Sequence, residues 1–229
     1  MNQLIRLSFI AGLLIVLCFS TCTHPKQEEH PRKLEILMLG HNSEHHNAAA
    51  YLPLLSSALS PKGFNFSYSS DLEDLNEQKL RWFDALLIYA NHDEISGAQE
   101  KALLQFVKRG GALLPIHSAS YCFRNSEAYV DLVGGQFESH ETGTFTAVVV
   151  APEHPAMQGF EPFESWDETY VHTAHNPDRE VLMERVEGEH REPYTWVKEY
   201  GKGRMFYTAL GHDERTWSHP GFHYLIAHG

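Results

Sequence analysis

The histidines of this chain gather where apolar runs give way to loops: His41, His45 and His46 after the first run, then His92, His117, His140 and His212 after later ones. Imidazole gains and loses a proton near neutrality, and in its neutral form it ligates divalent metals. If the apolar runs are strands of an open α/β sheet, their carboxyl ends form the rim of a ligand crevice, where residues distant in sequence converge. The placement predicts one polar site assembled from several loops.

Three residues are the catalytic candidates. His117 leaves the run ALLPI where a central strand would aim it into the crevice, His212 leaves another strand in ALGHDERTW, and Glu168 in DETYVH offers a carboxylate for acid–base work. The candidates for holding substrate are His45 and His46 in the loop GHNSEHHN, His92 in YANHDEIS, Ser118 beside His117, and Tyr170 beside Glu168. Ser118 lacks the Gly-x-Ser-x-Gly elbow of a hydrolase nucleophile, which leaves it a hydrogen-bonding role. Structural alternatives stand beside each: His117 can bridge two loops, Glu168 and Tyr170 can fix one, and Asp93 and Glu94 can serve only as negative charge ahead of a helix. His41 is expected at the surface, and His154 before Pro155 in a structural corner. His140 and His172 read as mainly structural, and His175, His190, His219, His223 and His228 as mostly solvated.

A catalytic zinc takes three protein ligands and keeps one position open. A divalent metal such as zinc is therefore a candidate cofactor, with His45, His117 and His212 as candidate ligands. No His-x-x-x-His pair opens a helical zinc signature, so the ligands would have to come from separate loops. The loop after the first strand has no glycine-rich pattern for close approach to a pyrophosphate, and no nucleotide cofactor is expected.

The elements that must position these residues are legible in outline. Leu34 to Leu39 is a buried strand ending at Gly40, His46 to Ser60 has helical spacing closed by Pro61 and Gly63, and Phe64 to Tyr68 alternates as a second strand. The run ALLIYA ends at Ala90, and Ser96 with Gln99 forms a capping-box pattern before a helix that Gly110 and Gly111 terminate. ALLPI follows. This alternation indicates βαβ units and a mainly parallel sheet. After Gly134 and Gly135 the pattern changes to strands at Phe145 to Val150, Glu180 to Glu184, Tyr194 to Lys198 and Arg204 to Ala209, the last two around a turn at Gly201 to Gly203. They predict an antiparallel extension, closed by a helix beginning near Pro220.

The amino terminus joins Arg6 to an apolar run from Leu7 to Phe19 and then to small residues and Cys22, the pattern of a secretory leader too short for a stable membrane span. We expect a signal peptide over 1–21 and export to the periplasm or the outer membrane. Lipidation is expected at Cys22, with Cys18 after Leu17 as a rival site and plain secretion as the alternative, followed by a polar tether over 22–32 and one folded domain over 33–229. The only membrane contact expected is that anchor. Beyond the leader region Cys122 stands alone, so the domain has no internal disulfide to stabilise it. The net charge of −12 becomes −13 for a chain beginning at Cys22, because Arg6 is the only charged side chain before it. That balance argues against nucleic acid as a partner.

GGALLPIHSAS (Gly110 to Ser120), GGQFESH (Gly134 to His140), EHPAMQGF (Glu153 to Phe160), DETYVH (Asp167 to His172) and YTWVKEYGKGRMFYTALGHD (Tyr194 to Asp213) together resemble the ThuA-like, or trehalose utilization, family. The resemblance implies the class I glutamine amidotransferase-like superfamily, a flavodoxin-like doubly wound sheet, and a role in carbohydrate catabolism on disaccharides or their keto derivatives. Glutamine amidotransferases carry a cysteine nucleophile at a strand-to-helix elbow; here that exit is His117-Ser118, which argues against glutamine hydrolysis. Family members usually continue through a further short helical segment, so at LIAHG the expectation is either a truncated product or an incomplete last helix. Two readings follow. One is an exported, hydrolase-like enzyme acting on a small carbohydrate through a histidine-rich pocket, with Trp166 and Tyr170 either stacking on the sugar or lying in the core. The other is a non-catalytic carbohydrate-binding or partner-binding module.

Overall fold

The computed structural model describes residues 32–229 apart from Asn42 and Glu44. The expected leader and all of the expected tether except Arg32 lie outside the described residues; Arg32 forms a surface ion pair with Asp84 at 2.6 Å.

The first half builds the parallel core. β1 (Leu34–Gly40) is buried from Ile36 to Leu39, a continuous apolar run because both of its faces are covered. Asn47 caps α1 (Ala48–Leu59) by accepting from the Ala50 N–H, and the chain returns as β2 (Phe64–Ser69), parallel to β1. α2 (Glu77–Leu80) leads to β3 (Ala85–Tyr89), buried throughout, and then to α3 (Gly97–Lys108) and β4 (Ala112–Pro115). The capping box at Ser96 and Gln99 is present with both of its reciprocal hydrogen bonds.

The second half follows α4 (Glu127–Val133) with strands: β5 (Gln136–Ser139), β6 (Thr142–Thr146), β7 (Val148–Val149), β8 (Glu164–Glu168) and β9 (Val171–Thr173). β10 (Glu180–Glu187), β11 (His190–Tyr200) and β12 (Gly203–Thr208) then form a meander, and α5 (Glu214–Trp217) and α6 (Pro220–His228) close the described chain. The main sheet runs β2-β1-β3-β4-β12-β11-β10-β7. Pairing is parallel from β2 through β12 and antiparallel beyond it. The first five strands have the flavodoxin-like order, with the topological switch between β1 and β3.

The structure corrects one expected strand. Phe145 to Val150 is two strands in different sheets: β6 pairs with β8 in a two-stranded ribbon, while β7 joins β10 at the edge of the main sheet. Buried Ala147 sits at the change of sheet. β5, β8 and β9 carry no apolar run for a sequence pattern to catch, because each pairs only within a two-stranded ribbon.

Candidate active site

Four side chains from four separated segments meet at the carboxyl ends of the parallel strands. His46 precedes α1, His117 follows β4, Glu168 ends β8, and His212 follows β12. One ligand-capable atom from each lies within 4.8 Å of the others. The ring centroids are 5.2 Å apart for His46 and His117, 5.8 Å for His46 and His212, and 5.7 Å for His117 and His212. Glu168 spans the group, with Oε2 3.1 Å from His117 Nε2 and Oε1 3.1 Å from His212 Nδ1. The exposed ring of His140 approaches the same Oε1 at 3.6 Å.

The positions of these groups are firmly set. His117 has φ +50°, a left-handed conformation that costs a non-glycine residue about 1–3 kcal/mol and tends to mark functional turns. Its Nδ1–H donates to the Ala209 carbonyl at 2.6 Å, which leaves Nε2 as the atom facing Glu168. Tyr170 stacks on the His117 ring with centroids 4.2 Å apart. Fully buried Asp167 accepts from the backbone N–H groups of Gly211 at 2.9 Å and His212 at 3.1 Å, and from the Thr216 hydroxyl at 2.7 Å. It thereby clamps the turn that presents His212. Gly211 has φ +131°, and a Cβ there would meet Ile116 Cγ2 at 3.0 Å and His117 Cβ at 3.4 Å. The turn can therefore sit against β4 only with glycine at that point.

Electrostatics set His46, His212 and the Glu168 carboxylate apart. Burial, reinforced by His117, pushes His46 down to about 3, so it is neutral at ordinary pH. Contact with Glu168 raises His212 above its usual value despite partial burial. Burial alone would raise the Glu168 carboxyl, but the contacts with His117 and His212 outweigh it and hold the group well below the usual carboxylate range. Asp167 is shifted upward by burial, with the charge of His117 and the N–H of Gly211 opposing. The site thus brings three imidazoles, that of His46 kept neutral by burial, and an ionised carboxylate to one point, an arrangement suited to proton transfer or to a cation.

The chain matches the ThuA family, described as trehalose utilisation, over residues 35–229. The chain belongs to the ThuA family. Among solved structures it resembles a ThuA-like protein from Bacteroides uniformis at TM-score 0.74 and 20% identity, covering 90% of this chain and 93% of that one. A ThuA-like protein from Parabacteroides merdae gives TM-score 0.73 at 17% identity, covering 86% and 88%. The fold is also similar to a part of the β-galactosidase from Rahnella sp. R3, at TM-score 0.60 and 14% identity over 86% of this chain and 31% of that one. No curated protein matches the sequence. Membership of the ThuA family supports a role related to carbohydrate utilisation.

The remaining residues of this ThuA domain fall outside the four-residue cluster. His45 is exposed, its ring centroid 6.4 Å from that of His46, so the imidazole inside the cluster is that of His46. His92 is half-buried and stacks on His41 at 4.0 Å, while His41 Nδ1 meets Asn91 Oδ1 at 2.7 Å. Ser118 is buried, and its hydroxyl has no hydrogen-bond partner among the described residues. Buried Tyr170 supports the His117 ring, and partly exposed Trp166 lies under the Arg215 guanidinium at 3.6 Å, with its ring 5.9 Å from that of His212. Cys122 is fully buried, donates from Sγ to the Ala90 carbonyl, and has its thiol pushed far up by burial, which closes it to nucleophilic chemistry. The sequence reading missed the place of His140 beside Glu168 and the clamp at Asp167. A carboxylate next to the candidate Glu168 was the one available signal for the clamp.

Cavity size does not point at the cluster. A cavity of about 600 Å³ lies at the amino ends of β1, β3, β4 and β12, the opposite end of the sheet from the histidines. A smaller one of about 400 Å³ adjoins the cluster through His140 and is walled by Glu141, Thr142, Thr169 and Arg185. The second adjoins the cluster only through His140, whose Nδ1 lies 3.6 Å from Glu168 Oε1.

Proposed function

We propose that the protein processes a small carbohydrate, a disaccharide or a keto-sugar, at the cluster of His46, His117, Glu168 and His212. The observation that carries this reading is the Glu168 carboxylate held between His117 Nε2 and His212 Nδ1 at 3.1 Å each on the strand-end rim. Groups whose surroundings drive their proton affinities apart are those suited to acid and base roles. Burial keeps His46 neutral, while the contact between His212 and Glu168 raises the proton affinity of the imidazole and lowers that of the carboxylate. The polar cavity beside His140 has the size of a small-ligand pocket, which begins at about 300 Å³. Its hydroxyl, carboxylate and guanidinium lining suits the oxygens of a sugar.

The test is turnover of trehalose, other disaccharides and their 3-keto forms by the wild type and by Glu168→Gln. A loss of about 10²- to 10⁴-fold in kcat with binding retained supports catalysis at this site. If every sugar binds and none is converted, the protein is a carbohydrate-binding module instead. Export through the segment before Cys22 belongs to the same proposal, supported by the apolar run that ends there. Labelling with radioactive palmitate that disappears in Cys22→Ser would support a lipid anchor; equal labelling of both would refute it.

A further inference from the structure

We propose that His46, His117, Glu168 and His212 together hold one first-row divalent transition-metal cation of the zinc class. This is the cofactor of the site to which the sugar reaction is assigned above, and it rests on that reading only for what the cation acts on.

His46 provides the first reason. The residue is 7% exposed, and among the described residues neither of its ring nitrogens has a hydrogen-bond partner. An unmet buried polar group costs about 1–3 kcal/mol, so a ring aimed with both nitrogens unpaired at two other imidazoles and a carboxylate is poorly explained as packing. A cation at the centre accounts for it.

His117 provides the second. Its Nδ1–H is committed to the Ala209 carbonyl, so Nε2 presents a lone pair to Glu168 Oε2 at 3.1 Å. Two lone pairs face each other unless a positive species lies between them. Donation of the other ring N–H to a backbone carbonyl is also how metal-ligating histidines are oriented. His212 Nδ1 lies 3.1 Å from Glu168 Oε1, yet it lacks the alignment of a hydrogen bond. Its backbone is clamped by Asp167, which supports the ligand from behind without entering the cluster.

Distances and donor types narrow the ion. Ligands about 2.1 Å from zinc stand roughly 3.4 Å apart in a tetrahedron. The four atoms here lie within 4.8 Å of one another, so closing on an ion needs only small side-chain movements. Three imidazoles and one carboxylate suit zinc and its first-row neighbours, whereas calcium and magnesium take mainly oxygen. With all four protein ligands in place the tetrahedron is filled. The bound ion would therefore act as a Lewis acid only toward a sugar oxygen that enters as a fifth ligand, from the side where His212 is partly exposed and His140 stands at the rim.

The experiment is elemental analysis of full-length protein purified without chelator. Calorimetric titration of chelator-stripped protein with Zn²⁺, and with Co²⁺ for its visible spectrum, follows. We expect about one ion per chain. Removal of second-shell partners alone weakens metal sites by about 10- to 100-fold, so His46→Ala and Glu168→Gln should each weaken binding at least about a hundredfold. His228→Ala, on the exposed end of α6, should bind as the wild type does. Thermal melts of each stripped variant establish that it is folded. Substoichiometric binding, or equal affinity in the wild type and both folded cluster variants, would overturn the proposal. Sugar turnover by the stripped, ion-free protein would also overturn it while leaving the proposed function standing. One bound ion lost in both variants, with no sugar converted, would uphold the metal site and sink the sugar reaction.

Discussion

At the scale of single residues, the site depends on groups that never touch a ligand. Asp167 accepts two backbone N–H groups and a hydroxyl at the turn that carries His212, and all of these are buried. Asp167→Asn turns one acceptor oxygen into a donor, stranding at least one buried partner at about 1–3 kcal/mol. The expected outcome in urea unfolding is a lower midpoint with an unchanged slope. His172 gives a prediction in pH. It is fully buried between Glu192 and Tyr207, with Nδ1–H donating to the carboxylate at 3.1 Å and Nε2 taking the hydroxyl at 2.9 Å. Burial lowers its proton affinity below the ordinary histidine value, while Glu192, which burial alone would raise, is held low by His172. The unfolded chain therefore takes up the His172 proton at a higher pH than the folded chain does. Stability should fall as pH drops below about 6.5, and further below about 4.3 as Glu192 contributes. Replacing His172 with Asn should make the first limb shallower by up to about 1.4 kcal/mol per pH unit, measured by denaturant unfolding across that range. An unchanged slope would show that the ring titrates alike in both states.

At the scale of elements, one turn couples two parts of the cluster. β12 delivers His212 only after Gly211 passes Ile116 and His117 at the end of β4, and the Gly211 carbonyl accepts from buried Trp217 Nε1 at 2.8 Å. Gly211→Ala places a Cβ in that contact at a φ that L-residues avoid, so it should cost about 1–3 kcal/mol and displace His117 and His212 together. The observable consequence is a lower melting temperature with at least tenfold weaker binding of added Zn²⁺. A variant with wild-type affinity would show that the turn has slack.

At the scale of the whole molecule, the parallel core is completed late in the chain. β4 gains its second neighbour only when β12 arrives, with Arg204 opposite Ala112 and Met205 opposite Leu113. A chain stopped at Gly135 keeps β1 to β4 but leaves β4 an uncovered edge, without the parallel strand β12 that pairs with it. Its circular-dichroism melt should be broad and non-cooperative where that of the longer chain is sharp. The same topology explains what could be read before any coordinates. Apolar runs at Leu34, Ala85 and Ala112 specified buried strands because burial on both faces demands uninterrupted hydrophobic residues. The helix cap at Ser96 and the residues that exit the strands are equally local matters of turn chemistry, so His46, His117 and His212 could be assigned to one rim. Polar two-stranded ribbons leave no such periodicity, and β8, which ends on Glu168, was therefore invisible as an element. Which member of His45-His46 turns inward, the approach of His140 to Glu168, and the Asp167 clamp all depend on contacts between segments distant in sequence. The sequence by itself determined the fold class and the end of the sheet where polar groups collect, because those follow from hydrophobic pattern and strand direction. Only the tertiary structure decided that three imidazoles and one carboxylate share a single point, because their distances are set by the packing of four loops that no local pattern encodes.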